Sequence, residues 1–106
     1  MNKIGIDIIQ IKRIKLKKEM IIAILNINEM KYFEKIINND AKKQFLAGRW
    51  AAKEAILKVI DQKIAPKNID INYLNNKPVI TNEKLKHIQI SISHEKDYAV
   101  AVALNL

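Results

Sequence analysis

The stretch FLAGRWAAKEAILK, residues 45–58, departs from the vocabulary of the rest of the chain. Among 106 residues there are 21 Ile, 17 Lys and 11 Asn, whereas Arg and Gly occur only twice each. This stretch holds the single Trp, one Gly, one Arg and four of the ten Ala. If a coding bias replaces every residue that tolerates replacement, the rare residues that survive mark positions with strict requirements. The other Gly and Arg lie close together, at positions 5 and 13.

The same fourteen residues predict a buried helix. At 100° per residue, their apolar side chains point in nearly every direction, which is typical of a helix enclosed by other elements. The helix is expected to begin at an N-cap at Asn39 or Asp40 and to run to about Ile60. Gly48 and the alanines would allow close approach by backbone or by a ligand.

Four charges interrupt this helix. Arg49 and Lys53 are i,i+4 neighbours, and Glu54 and Lys58 form a second such pair on another side. Buried charges are costly unless they are paired or ligated. The charges therefore belong either to structural ion pairs on a half-exposed helix or to a site that needs Glu and Lys together.

Flanking segments predict an α+β fold in a single domain, residues 1–106, with helices in the N-terminal half packed on a C-terminal antiparallel sheet. In KIGIDII, residues 3–9, alternation places three isoleucines on one face and Gly5 and Asp7 on the other, in a strand expected to be central. The remaining predicted elements are helices over 10–20 and 28–37, a hairpin of 69–74 with 78–81 turning at 75–77, and a hairpin of 87–93 with 98–104.

Two further polar residues sit in apolar surroundings. Asp7, between Ile6 and Ile8, is either an N-cap for the following helix or a carboxylate ligand for a hard divalent ion, with Glu54 as its partner. His94 ends a strand face of alternating isoleucines, where it is either structural or functional. The small face of Ala99, Ala101 and Ala103 suits tight packing on another element or another subunit.

Composition narrows the class of protein. The net charge is +8 and the pI about 9.7, so the surface would attract nucleic acid, anionic membranes, phosphorylated ligands or acidic proteins. No apolar run approaches the roughly 20 residues of a membrane span, the N-terminus does not read as a signal peptide, and the lack of Cys fits a reducing cytoplasm. No Gly-rich phosphate loop is present, which disfavours P-loop and dinucleotide-binding chemistry.

Three motifs together resemble the holo-acyl-carrier-protein synthase family, the small type of 4′-phosphopantetheinyl transferase. GIDIIQIKRI resembles the opening G-x-D…R-I motif, FLAGRWAAKEAILK the central F-x-x-R-[FW]-A-A-K-E-A-x-x-K motif, and ISISHEKDYAVA the closing S-x-[ST]-H…Y-A-x-A motif. The motifs occur in the family's order and span nearly the whole chain.

The resemblance implies phosphoryl transfer from coenzyme A to a serine of apo acyl carrier protein, with release of adenosine 3′,5′-bisphosphate, for fatty acid biosynthesis. It implies that Asp7 and Glu54 hold Mg²⁺ against the pyrophosphate and that Glu54 receives the serine proton. The residues implied to face the phosphates of coenzyme A are Lys53, Lys58 and His94, with Arg49 either nearby as a further coenzyme A ligand or bracing the site. Lys53 is also implied to be catalytic, together with Asp7 and Glu54.

The resemblance also implies partners. The acidic carrier would meet a basic face formed by Arg13, Lys15, Lys17 and Lys18, with Lys12 nearby; a merely solvated face is the alternative for the lysines. The family assembles as a homotrimer with active sites between subunits, and the alanine face would suit that contact. Residues 59–69 lack the glycines usual in the family's nucleotide loop, where Lys63 or Lys67 could substitute.

One rival hypothesis comes from another class of protein. A small basic nucleic-acid-binding or ribosome-associated protein explains the size and the charge of +8. It does not explain Asp7 and Glu54 among apolar residues, and few aromatic residues are interleaved with the basic ones for base stacking. We therefore expect no nucleic-acid partner and no membrane partner.

Overall fold

The computed structural model describes residues 2–106 and contains, over that range, five strands and three α-helices. In chain order they are β1 (Lys3–Gln10), α1 (Lys18–Ile24), α2 (Ile27–Glu34), α3 (Asn39–Leu57), β2 (Ile71–Leu74), β3 (Lys77–Ile80), β4 (Gln89–His94) and β5 (Tyr98–Asn105). Helices dominate the first half and strands the second, so the predicted α+β class is confirmed. None of the helices described here is both long and apolar enough to cross a membrane.

The strands form two antiparallel sheets rather than one C-terminal sheet. β5 lies between β1 and β4 in a three-stranded sheet, while β2 and β3 form a separate hairpin. The expectation that the N-terminal strand is central is wrong, because β1 pairs only with β5 in the described chain and occupies an edge. The sheet thus joins the two ends of the chain, with Lys3 opposite Asn105.

The long helix α3 packs on one face of the three-stranded sheet, called here the inner face. Ala99, Ala101 and Ala103 of β5 point to this face and are at most 1% exposed. A Cβ atom added to Gly5 of β1 would lie 2.5 Å from the backbone oxygen of Ala55 in α3. Small residues on both elements are therefore required for the helix to lie this close to the sheet, and the alanine face packs within the subunit rather than outside it.

The opposite face of the sheet, called the outer face, is apolar and uncovered in the single chain. Ile4, Ile6 and Ile8 of β1 are 74%, 59% and 58% exposed. Their β5 partners are Leu104, Val102 and Val100, respectively. Alternation on β1 was correctly predicted, and the tertiary structure turns the isoleucine face outward.

Local signals account for the start of α3 and for the first hairpin. Asn38 caps α3 by accepting a hydrogen bond of 2.9 Å from the Ala41 N–H, one residue before the predicted caps.

Asn75 and Asn76 have φ of 52° and 65°, the left-handed conformation that a two-residue hairpin turn requires and that Asn tolerates. The predicted turn between β2 and β3 is confirmed.

The predicted helix over residues 10–20 is wrong. Residues Ile11–Arg13 form one 3-10 turn, Ile14 returns to extended backbone, and α1 begins only at Lys18. The Ile11 N–H donates to the backbone oxygen of Asp97 at 2.8 Å, which ties the end of β1 to the β4–β5 turn. Ile11 and Ile14 are both buried, and their spacing of three residues is met by a single 3-10 turn as well as by an α-helix.

Candidate active site

Two of the four charges in residues 45–58 lie in the core, where they surround one carboxylate. Lys53 is 0% exposed, and its ammonium is ion-paired with Glu29 Oε1 and donates to the backbone oxygen of Ile24 at 2.7 Å. Arg49 Nε lies 3.1 Å from Glu29 Oε2, although that contact is not aligned as a hydrogen bond. Glu29 thus compensates two buried cations from neighbouring turns of the same helix.

Burial perturbs the pKa of this lysine. Desolvation lowers the pKa of the Lys53 ammonium, and the charge of Glu29 and its hydrogen bond act in the opposite direction. Arg49 lowers that pKa further through like-charge repulsion. The expectation that Lys53 faces phosphates is not supported by this position, because its donors are directed to Glu29 and Ile24 inside the core.

Arg49 sits at the boundary between this core and a cavity. Its guanidinium carbon lies 4.5 Å from the ring centroid of Phe45 and 5.0 Å from that of Tyr73, so the planar group is held between two aromatic faces. The cavity beside it has a volume of about 410 Å³. Its lining includes Gly48, Arg49, Ile92 and His94, together with Tyr32 and Tyr73.

His94 is an exposed residue of the lining of this cavity. It is the last residue of β4 and is paired with Ala99 of β5, so it shares the inner face of the sheet with α3. Its exposed ring and the Arg49 side chain therefore border one space. We call this side of α3, with Arg49 and His94, the β4 flank.

The remaining predicted site residues lie on the other side of α3. Asp7, in β1, is paired with Ala101 and so also points to the inner face. Its Oδ1 lies 3.7 Å from Lys58 Nζ, and the same ammonium donates to the backbone oxygen of Ile6 at 2.7 Å. Glu54, one turn before Lys58, accepts a hydrogen bond of 3.3 Å from the indole N–H of Trp50. We call this side, with Asp7, Glu54 and Lys58, the β1 flank.

The two flanks lie over opposite edges of the inner face of the sheet. Asp7 is on one edge strand and His94 on the other, with β5 between them, which places their strands roughly 9–10 Å apart. On α3, Arg49 and Glu54 point about 140° apart. None of the three β1-flank residues, Asp7, Glu54 and Lys58, lines the cavity of the β4 flank. A single chain brings the predicted residues together as two groups rather than one.

The donors on the β1 flank suit a hard divalent cation. Asp7 Oδ2 is buried and has no hydrogen-bond partner among residues 2–106, so its lone pairs are available to a ligand. Asp7 has a neighbouring ammonium, and Glu54 lies on the same side of α3 as Lys58. These are groups that Mg²⁺ could use, since it binds one or two protein carboxylates and leaves other positions to water and substrate phosphates. Over the described residues, no group of three or more His, Cys, Asp or Glu side chains is placed to hold a metal alone.

The predicted partner face adjoins the β1 flank. Arg13, Lys15 and Lys17 are exposed in the segment between β1 and α1, and Lys18 is the exposed first residue of α1. Ile14 and Lys17 of this segment have extended backbone. The Arg13 guanidinium carbon lies 5.6 Å from the Trp50 ring centroid. Because Trp50 also donates to Glu54, this basic face is joined to the acidic groups of the β1 flank through a single aromatic residue.

Glu29 is a site-adjacent residue that sequence reasoning missed. A signal was available in NINE, residues 26–29, because Asn followed three residues later by Glu is typical of a capping box. The structure contains that box: Asn26 accepts from the Asn28 N–H at 2.9 Å, and the Asn26 N–H donates to Glu29 Oε1 at 2.7 Å. A capping role alone does not predict that the same carboxylate is buried against Arg49 and Lys53.

The loop after α3 forms a second cavity of about 410 Å³. Lys63 is among its lining residues, together with Leu57, Ile60, Asp61, Gln62, Ile64 and Ala65. Lys67 lies elsewhere, in the 3-10 turn Pro66–Asn68, where its backbone oxygen accepts from the Asn26 amide at 3.2 Å. The two lysines predicted to substitute for the missing glycines therefore line different cavities, Lys63 the one in this loop and Lys67 one beside Ile22, Leu25 and Met30.

Residues 3–103 match the sequence profile of the 4′-phosphopantetheinyl transferase superfamily, and the chain belongs to this superfamily. Its relatives include holo-[acyl-carrier-protein] synthases. That of Mycoplasma capricolum is 58% identical over 103 residues, covering 97% of this chain and 93% of the relative. That of a Geobacillus species is 42% identical over 108 residues, covering 92% and 90%.

Solved structures agree with this assignment. The crystal structure of a holo-(acyl-carrier-protein) synthase from Bacillus anthracis, in complex with CoA (3′,5′-ADP), has a TM-score of 0.84 and 33% sequence identity. The match covers 95% of this chain and 92% of that one. The holo-[acyl-carrier-protein] synthase of Neisseria meningitidis gives a TM-score of 0.80 at 27% identity, with 95% and 94% coverage. The family inferred from the three motifs is confirmed.

Proposed function

We propose that this chain transfers the 4′-phosphopantetheine arm of coenzyme A to a serine hydroxyl of apo acyl carrier protein. The serine oxygen forms a bond to the phosphorus that carries pantetheine, the pyrophosphate bond breaks, and adenosine 3′,5′-bisphosphate leaves. The observation that carries the proposal is the pairing of Asp7 with Lys58 on the β1 flank, with one Asp7 oxygen left without a partner. Membership of the family supplies the reaction that these groups would serve.

Charge neutralisation on the β1 flank would do most of the catalytic work, as is usual in phosphoryl transfer. Asp7 and Glu54 would hold Mg²⁺, which when bound neutralises charge on the pyrophosphate. Lys58 would stabilise phosphate oxygens as a point charge. Glu54 would take the serine proton, directly or through water, with its carboxylate oriented by the Trp50 N–H.

The β4 flank would bind the nucleotide part of coenzyme A. Arg49 is the cation of the buried cluster that also lines the cavity, which suits an anionic ligand there. Arg49 and His94 border one cavity, and Tyr32 and Tyr73 provide aromatic faces there. Arg49 and His94 remain our proposed coenzyme A ligands, whereas the buried position of Lys53 supports a bracing role.

Assembly would unite the two flanks. A homotrimer in which the β1 flank of one subunit meets the β4 flank of the next would complete three sites. The outer face of the sheet, with Ile4, Ile6 and Ile8 exposed beside Val100, Val102 and Leu104, provides an apolar surface for that contact. Association would bury it and supplement the modest core of a chain of 106 residues.

The exposed basic face of Arg13, Lys15, Lys17 and Lys18 would dock the acidic carrier beside the β1 flank. Complementary charge would chiefly raise the association rate. We place the reaction in the cytoplasm, as a step that prepares carriers for fatty acid biosynthesis.

The decisive experiment measures the mass of the carrier protein after the reaction. Incubation of the protein with Mg²⁺, coenzyme A and apo acyl carrier protein should raise the carrier mass by one phosphopantetheine. A carrier with alanine in place of its acceptor serine is the control and should stay unchanged. An unmodified carrier at saturating coenzyme A, with the protein folded by circular dichroism, would end the transferase proposal.

A further inference from the structure

Glu29 is the most connected buried charge that the proposed chemistry does not use. Its Oε1 accepts from the Asn26 N–H at 2.7 Å and from the Lys53 ammonium. Its Oε2 accepts from the Ile71 N–H at 3.3 Å and faces Arg49 Nε at 3.1 Å. One carboxylate therefore joins the start of α2, two turns of α3 and the start of β2.

A purely structural ion pair would not need this arrangement. Replacing buried charge clusters with apolar residues of similar volume is often neutral or stabilising, so stability alone is a weak reason to keep one. Here the cluster ends at a cavity, because Arg49 contacts Glu29 and also lines the space beside His94. The Phe45 and Tyr73 rings lie 4.5 Å and 5.0 Å from the guanidinium carbon, and Glu29 Oε2 lies 3.1 Å from its Nε edge.

We propose that Glu29 is a positioning residue, which fixes Arg49 against the cavity of the β4 flank and thereby sets the affinity for coenzyme A. The inference rests on the proposed function, because it takes the nucleotide of coenzyme A to be the ligand of that cavity. Lys53 completes the arrangement as the second cation of Glu29. The same carboxylate tethers the turn of α3 that precedes Glu54.

The test compares Glu29→Gln with the double variant Glu29→Gln/Lys53→Met. The single variant leaves two buried cations without a counter-ion and should melt far below the wild type. The double variant removes one cation with the carboxylate and should regain most of the melting temperature. If Glu29 only stabilises the fold, coenzyme A binding should recover with it. If Glu29 positions Arg49, binding should stay weak in the double variant.

We expect the dissociation constants for coenzyme A and adenosine 3′,5′-bisphosphate to rise about tenfold in the double variant, a size typical of one weakened charged contact to a ligand. The KM for the carrier should change less than about twofold. Glu34→Gln, on an exposed position of α2, is the matched control and should leave both dissociation constants unchanged. Equilibrium titration of each ligand measures the effect independently of turnover.

Several outcomes would overturn the role of Glu29. Wild-type affinity for both nucleotides in a folded double variant would assign Glu29 to stability alone, as would a double variant that does not fold. Equal weakening of carrier and nucleotide would point to a general disturbance rather than to positioning. A wild-type protein that neither binds coenzyme A nor modifies the carrier would instead overturn the proposed function, so the two failures are distinguishable.

Discussion

The β1 flank and the β4 flank of α3 differ in how their charges are satisfied. On the β4 flank, Arg49 is ion-paired in the core and held between two rings before any ligand arrives. On the β1 flank, Asp7 keeps a buried oxygen without a partner in the described chain, and Lys58 is more than half exposed. The β4 flank is preorganised by the protein itself, whereas the β1 flank carries groups that a metal ion and phosphates would satisfy.

This difference suggests a division of labour. Preorganised groups suit binding, because little ordering entropy is lost when the ligand arrives. Carboxylates whose oxygens lack hydrogen-bond partners suit catalysis, because they interact strongly with a metal ion or another positive charge that arrives with the substrate. Four experiments test the division, and they are ordered by expected effect.

Asp7→Asn and Glu54→Gln should give the largest effect. Each removes one metal-binding charge from the β1 flank, and we expect kcat to fall about 10²–10³-fold, as for loss of a major electrostatic group. The KM for coenzyme A should change much less, since its nucleotide is assigned to the other flank. Steady-state kinetics at saturating Mg²⁺, with circular dichroism as the check on folding, measures both. Near-normal kcat in both variants would remove the metal assignment.

Mixing two inactive variants should reveal whether the flanks act across subunits. Asp7→Asn disables the β1 flank and His94→Ala the β4 flank. In a mixed cyclic trimer with sites between neighbours, one site in three would receive both intact flanks, and over all randomly reassociated trimers one site in four would do so. Dissociating and reassociating equal amounts should restore about a quarter of wild-type turnover. Activity no higher than that of the separate variants, in verified mixed trimers, would place each site within one subunit.

Reversing charge on the basic face should have an intermediate effect. For Lys15→Glu/Lys18→Glu we expect the KM for the acidic carrier to rise about tenfold at low salt, and less at high salt because screening weakens exposed charges. The KM for coenzyme A should stay within about twofold. Lys84→Glu/Lys86→Glu, on exposed positions far along the chain, serves as the control. Equal changes in both KM values would mean that the basic face is only solvated.

The smallest expected effect concerns pH and the buried lysine. Because desolvation lowers the folded-state pKa of Lys53, the unfolded chain binds this proton more tightly than the folded chain. Between that lowered pKa and the ordinary lysine pKa of about 10.4, stability should rise with pH. The melting temperature of the wild type, measured relative to that of Lys53→Met, should therefore rise as the pH increases through this window. A difference between the two proteins that does not vary with pH would contradict the sign of the shift.

Much of the fold was predictable because it depends on near neighbours. The hairpin turn follows from Asn75 and Asn76, whose side chains tolerate positive φ. Alternation in β1 correctly placed Gly5 and Asp7 on one face. The 10–20 helix failed because Ile11 and Ile14 fit either a 3-10 turn or an α-helix, and a hydrogen bond to Asp97, 86 positions away, selects between them.

The candidate site was likewise predictable only where it depends on local sequence. The sequence by itself determined the family, the motif residues and the long helix that carries most of them, because these reside in local patterns and residue identity. Only the tertiary structure decided that Lys53 points at Glu29, that the alanine face is internal, and that Asp7 and His94 lie on opposite edge strands of the sheet. Burial and charge pairing depend on contacts between distant segments, such as Glu29 with Lys53 and Asp7 with Lys58, and no local pattern encodes those distances.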